Sequence, residues 1–461
     1  MRSALCGACL FLALASSGVA GVGVWTPTPN ADAVTVLVGH DGAVVADWGH
    51  GSSFLSFQVA RSLDHGASWQ PSTGPGGVGS SAYQARALAL DPAGTIYAGF
   101  TTAGNASYFA RLFVSRDAGS SWTELLEEFQ TQFLDLRVDP FSPQTLYLLD
   151  GVGGPARLSR STDGGAGWTE IDQSIGSVGV LRNVTAMSLD VRAPDHLFAA
   201  TVLFTTVPWS PATPALYESR DGGTTWTRSG GNLPDAFATV VVDPFASTTI
   251  YGGGASGIFR SVDAGATFEP QSAVPATQIV ADSIHLGRLY AATSANGVLA
   301  SSDGGTTWAA FNAGLTNLAV NAIALDTVGG YLYAATSTGV FVYRFPDPGT
   351  LVLDAAHPFS VTLSATDQRT GRNGTGVATP MNDLWGYFSI PAITGNPNNP
   401  EVFVKMLDGT AINGAYWLFY GGLTDLEYTL TVTETATGRQ RTYTKPAGRQ
   451  CGGSDTAAFA P

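Results

Sequence analysis

Six aspartates occupy one fixed position in a recurring octapeptide, Ser-x-Asp-x-Gly-x-(Ser/Thr)-Trp: Asp64, Asp117, Asp163, Asp221, Asp263 and Asp303. The copies starting at Ser62, Ser115, Ser219 and Ser301 are clean. Ser161 to Trp168 has Gly at the second hydroxyl position, and Ser261 to Phe268 ends in Phe. A carboxylate between two hydroxyls can ligate a cation, move a proton or lock a turn. A catalytic centre has no use for six copies, whereas a repeated turn does. The Asp carboxylate can accept hydrogen bonds from N–H groups just ahead of it. The Gly tolerates positive φ, and the Trp covers the corner with a large apolar body. The pattern therefore predicts strand, turn, strand, with structural aspartates.

No other constellation announces catalysis. His40 and His50 are ten residues apart, His65 falls inside an octapeptide, and His196, His285 and His357 are isolated, so no metal-spaced pair exists. A nucleophile elbow, phosphate loop and dinucleotide fingerprint are all missing. No cofactor is expected. Arg61, Arg116, Arg160, Arg220 and Arg260 sit beside or within the octapeptides, while Arg86, Arg137, Arg182 and Arg288 lie in or next to the segments expected to be innermost.

A second repeat runs in register with the first. An alternating apolar segment ends in Asp and is followed by a short segment holding an aromatic, as in LALDP with IYAGF and VVVDP with IYGGG. Each unit supplies strand A ending in Asp, strand B with Tyr or Phe, strand C ending in Ser-x-Asp, and strand D starting at Trp. Four short strands per repeat mark a propeller blade. The expected fold is all-β: a seven-bladed β-propeller over residues 21–348, then a β-sandwich over 349–461. Blade one starts at Ala33. Blade seven lacks a fourth strand, which the segment around Trp25 is expected to supply, closing the open edge.

The octapeptide resembles the Asp-box of bacterial-neuraminidase-type (BNR) repeats, found also in sortilin, secreted glycosidases and the photosystem II assembly propeller. A sialidase-like site would need three arginines, a Tyr–Glu pair and an acid/base Asp. No such Tyr–Glu pair can be identified, and the family's Arg-Ile-Pro segment is absent. Other Asp-box glycosidases use a carboxylate pair, usually between two propellers; one propeller is expected here. The resemblance implies a non-enzymatic binding or assembly scaffold presenting loops to a protein or carbohydrate partner, with a glycoside hydrolase as the alternative and a surface or matrix component as a third. The tail resembles a domain recurrent at the C-terminus of secreted bacterial proteins. Its Trp385, Tyr387, Tyr416, Trp417 and Tyr420 form either a sugar-stacking platform or ordinary core and edge aromatics.

Loops decide recognition in propellers. The A–B and C–D turns share one face and are short. The irregular connections, Thr101–Phe109, Glu127–Gln132, Asp172–Arg182 and Val202–Ala215, share the other. Tyr108, Phe109, Glu127, Glu128 and Trp209 are the candidate binding residues. Trp209 stands among prolines either as an anchor or folded back on its own blade. Residues 1–20 read as a signal peptide, implying a secreted or periplasmic protein. Cys451 is then the one cysteine left. A net charge of −14 argues against nucleic acid. No membrane span is expected, and the chain is expected to be monomeric.

Overall fold

The computed structural model describes residues 23–28, 36–38, 43–47, 59–72, 83–102, 109–129, 131–151, 156–176, 180–205, 213–327, 330–345, 347, 349–354, 357–396, 399–449 and 452–460. The signal-peptide segment, Tyr108, Trp209 and Cys451 lie outside them. The chain divides into two compact units on either side of the Tyr343–Arg344 bond.

The first unit contains seven four-stranded antiparallel sheets. Blade two shows the pattern: Tyr83–Leu90, Ile96–Thr102, Phe109–Ser115 and Thr123–Phe129 pair in chain order. Each innermost strand packs against the innermost strand of the next blade, and Val320–Asp326 of blade seven packs against Val36–Val38 of blade one. The ring is therefore closed. Its apolar core lies between blades rather than within them. Tyr147, Leu149 and Leu158 of blade three, for example, share one buried cluster with Leu197, Ala215 and Trp226 of blade four. This follows from strands whose two faces both meet a neighbouring sheet, which explains why strand Leu146–Asp150 is buried along its whole length.

Blade seven is completed from the other end of the chain. Trp25–Pro27 pairs antiparallel with Gly339–Arg344, with Trp25 opposite Tyr343 and Pro27 opposite Phe341. Pro tolerates this place because the strand is an edge and needs no second donor row. The Trp25 indole N–H donates to the Phe311 carbonyl of blade six at 2.7 Å. Trp226 of blade four donates to Ile171 of blade three at the same 2.7 Å. Ile171 and Phe311 each lie three residues beyond an octapeptide Trp, so Trp25 occupies the place of an octapeptide Trp without the octapeptide.

The second unit holds two five-stranded antiparallel sheets. One is Thr350–Leu353, Phe359–Asp367, Glu427–Glu434 and Gln440–Lys445, with Arg372–Thr375 alongside Phe359–Asp367. The other runs in the order Val377–Asn382, Trp385–Ser389, Val402–Gly409, Ala415–Gly422 and Gly452–Phe459. Phe359, Val361 and Leu430 of the first and Phe388, Val404 and Leu418 of the second belong to a single buried cluster. Two sheets facing one core make a β-sandwich. No helix among the described residues is long and apolar enough to cross a membrane.

Candidate functional site

The six octapeptide turns share one hydrogen-bond plan. The hydroxyl of the leading Ser donates to Asp Oδ1 and accepts the N–H of the recurring Gly, as Ser219 does with Asp221 at 2.8 Å and Gly223 at 2.8 Å. Asp Oδ1 also accepts the N–H four residues on, and Oδ2 accepts that residue's hydroxyl, as Asp221 does from Thr225 at 2.8 and 2.6 Å. The Asp64, Asp117, Asp263 and Asp303 turns repeat both contacts. At Asp163 the N–H of Gly167 is kept and the hydroxyl is missing. The Gly after each turn has positive φ, 90° at Gly223, a conformation that a side chain disfavours. The N–H and hydroxyl of Thr307, with the Ser301 hydroxyl, hold the Asp303 carboxyl at about 2. The other five are also lowered. Such carboxylates stay ionised and have no proton to give.

A second set of carboxylates caps the turns between strands A and B on the same face. Asp91, Asp139, Asp190, Asp243 and Asp282 are buried and accept N–H groups two to four residues ahead, as Asp91 does from Ala93 and Thr95 at 2.9 and 2.7 Å. His196 is buried between Asp190 and Glu218, at 2.8 and 2.7 Å. Tyr251 donates to Asp243 at 2.8 Å. Arg288 pairs with Asp282 in such a turn.

The opposite face carries a different chemistry. Arg182, at the start of the innermost strand of blade four, reaches Asp172 through Nε at 3.0 Å and Glu170 through Nη2 at 3.0 Å. Burial raises the Asp172 carboxyl against the pull of Arg182, and Glu170 adds to the rise. In blade three, buried Asp150 takes Arg157 at 2.8 Å and the Thr131 hydroxyl at 2.7 Å. Asp235 accepts the N–H groups of Ala236 and Ser256. Each of these carboxylates is thus committed to an arginine or to backbone. Asp150, Glu170 and Asp172 were not singled out from sequence. The only signal was position, at the ends of strands B and D.

Three of the expected loop residues lie in strands rather than in loops. Glu127 and Glu128 fall inside the outermost strand Thr123–Phe129, because a bulge at Leu112/Phe113 lets that strand continue to pair as far as Phe109. Glu127 makes an ion pair with Arg111 on the neighbouring strand at 2.8 Å. Phe109 heads strand Phe109–Ser115.

The innermost strands enclose an axial cavity of about 490 Å³. Arg137 and Asp135 line it and pair with each other at 3.0 Å, beside Thr185, Thr239 and Gln278. Gln278 spends its carbonyl on the N–H of Ile323. Of the four arginines expected near the channel, Arg137 lines it and Arg182 and Arg288 are held in ion pairs at opposite faces; the Arg86 side chain lies outside those described. No group of three metal-capable side chains occurs among the described residues.

No family model matches the chain. Among curated proteins, a xyloglucanase of Hypocrea jecorina (strain QM6a) is 32% identical over 152 residues, covering 30% of this chain and 18% of that protein. A xyloglucanase of a Paenibacillus species is 27% identical over 236 residues, covering 43% and 22%. The chain therefore spans about a fifth of the length of these relatives. Among solved structures, YCF48 from Cyanidioschyzon merolae is 14% identical with a TM-score of 0.48, over 70% of this chain and 99% of that one. A GH74 xyloglucanase from Xanthomonas campestris is 13% identical with a TM-score of 0.30, over 94% and 99%. In sequence, then, this propeller chain shares a segment with two xyloglucanases roughly twice its length.

Proposed function

We propose that this protein is a secreted or periplasmic binding propeller, which holds a partner on the face opposite the octapeptide turns and does not cleave it. One observation carries this reading: Asp150, Glu170, Asp172 and Asp235 of that face each accept arginine or backbone groups, and Asp135 and Glu127 pair with Arg137 and Arg111. Hydrolysis of a glycosidic bond needs two carboxyl groups free to face the sugar. In this reading the octapeptide aspartates are structural, and Tyr108, Phe109, Glu127, Glu128 and Trp209 contribute to the contact surface. The xyloglucanase similarity favours a polysaccharide over a protein as the partner of the propeller.

The same similarity supports a second reading, a glycoside hydrolase. The two part on one experiment. The purified chain is mixed with xyloglucan, and both retention of protein on the polymer and release of reducing ends are followed. Retention without new reducing ends supports the binding propeller. Steady release of reducing ends, lost in an Asp172→Asn or Asp150→Asn variant that still folds, establishes the hydrolase instead.

A further inference from the structure

The outer face of the second sheet in the C-terminal unit has no part in the propeller's proposed role. Phe388, Val404, Met406 and Leu418 point into the sandwich core. Strand alternation therefore turns their neighbours outward. The strand registers sort these into rows. Tyr387, Phe403 and Gly421 stand side by side, then Trp385, Lys405 and Phe419, then Leu407 and Trp417. The five aromatic rings are partly exposed and belong to no core cluster. The five tail aromatics singled out from sequence thus split: Tyr416 and Tyr420 pack against the core, while Trp385, Tyr387 and Trp417 face outward and gain Phe403 and Phe419.

The face is built rather than left over. Phe403 lies 6.3 Å from Trp385 and 5.9 Å from Tyr387, centroid to centroid. The Trp417 indole donates to Asn413 Oδ1 at 2.9 Å and lies over Gly409, where it leaves no room for a Cβ. At Gly421, by contrast, a Cβ would meet nothing within 4 Å, and the backbone there is not left-handed. A lane therefore opens beside Phe403 at the end of its row, where Gly421 meets Gly452. Lys405 stands exposed between Trp385 and Phe419. The chain's other lysine, Lys445, is buried and donates to the carbonyls of Thr424 and Leu426 at 2.8 Å each.

Charge decides among occupants. Lys405 is an exposed ammonium framed by rings, a local arrangement that selects a negative group carried on an apolar ring. A second copy of the chain, on a two-fold axis through this face, would place Lys405 against its own equivalent region and bring it no carboxylate. We propose that this face is a platform for an acidic polysaccharide. The apolar faces of its pyranose rings lie on Phe403, Trp385 and Phe419, one ring follows the Gly421 lane, and a uronate carboxylate pairs with Lys405.

The test uses the full chain in native gels containing polygalacturonate or, separately, uncharged hydroxyethyl cellulose, so that it does not depend on the propeller's ligand. Retardation by the polyuronate alone is expected, weakening with added salt. Lys405→Met keeps the apolar stem and removes the charge. Gly421→Leu fills the lane without removing a ring. Each is expected to weaken apparent affinity by roughly ten-fold, about 1.4 kcal/mol, with the melting curve unchanged. Phe403→Ala should act likewise, and the other two variants decide the matter if it fails to fold. Three results would each overturn the proposal: no retardation by polyuronate, equal retardation by the neutral polymer, or wild-type behaviour of both Lys405→Met and Gly421→Leu.

Discussion

Replacing Trp25 with Ala tests the closure of the ring. Trp25 is 2% exposed and packs on Phe311 and Tyr343 at 6.2 and 5.7 Å. Truncating a buried Trp costs roughly 3–5 kcal/mol, and the Phe311 carbonyl also loses its indole donor. Trp226 makes the same contact inside an unbroken blade and is the internal standard. If closure by Trp25–Pro27 is worth as much as a covalently continuous blade, Trp25→Ala and Trp226→Ala should shift the urea midpoint of the propeller transition to a similar degree. Trp25→Phe, which keeps most of the packing and loses the hydrogen bond, should cost roughly 1–2 kcal/mol. The assay is equilibrium denaturation followed by circular dichroism, with slope and midpoint fitted separately. A Trp25→Ala loss under about 1 kcal/mol, beside a full loss for Trp226→Ala, would refute the reasoning. It would mean that the first strand only lies against blade seven without holding it.

Two further predictions follow from the turns and the interblade tyrosines. The octapeptide carboxyls lie below their unfolded value of about 3.9, Asp303 at about 2; their contribution is present above pH 4 and is lost as pH falls through the folded value. Asp303→Asn should therefore flatten the acid limb of a stability-versus-pH curve between about pH 4 and 2, and an unchanged limb would count against the turn-lock role. Tyr251 donates to Asp243, whereas the buried Tyr147 hydroxyl has no partner among the described residues. Tyr251→Phe should cost roughly 1.5–3 kcal/mol for a bond to a charged group, and Tyr147→Phe should be close to neutral; equal costs in thermal denaturation would contradict the difference.

The propeller was legible because its signals are local. Ser, Asp, Gly and Trp within eight residues specify a turn on their own, and the strand-B aromatics mark the interblade cores directly. Trp25 was legible for the same reason: Trp25-Thr26 resembles the strand-D starts Trp122-Thr123 and Trp226-Thr227. The second unit was legible only as a class. Gly452–Phe459 becomes a strand through pairing with Ala415–Gly422, and its glycines and small residues carry no strand signal of their own. Tyr416 and Trp417 are adjacent in sequence and lie on opposite faces, which the alternation predicts only once the register is known. Likewise Glu127 reads as a loop residue until the bulged pairing with the neighbouring strand is known. Among the candidate contact residues, Tyr108 and Trp209 remain assigned by sequence position and loop length alone.

The antiparallel pairing at the seam has a mechanical consequence. Trp25 faces Tyr343, so the chain preceding Trp25 and the chain following Tyr343 leave the ring side by side, from the same end of one short ladder. Tension between them loads the ladder one pair at a time, as in opening a zipper, and never all three pairs together in shear. The weakest direction of the ring is therefore along its own two chain ends. A load applied to any loop between the other blades must instead be resisted by hairpins whose strands are covalently joined. Were the protein held at both ends, blade seven would open first, and the force needed would be set by Trp25 and its seat on Phe311 and Tyr343 rather than by the other six sheets.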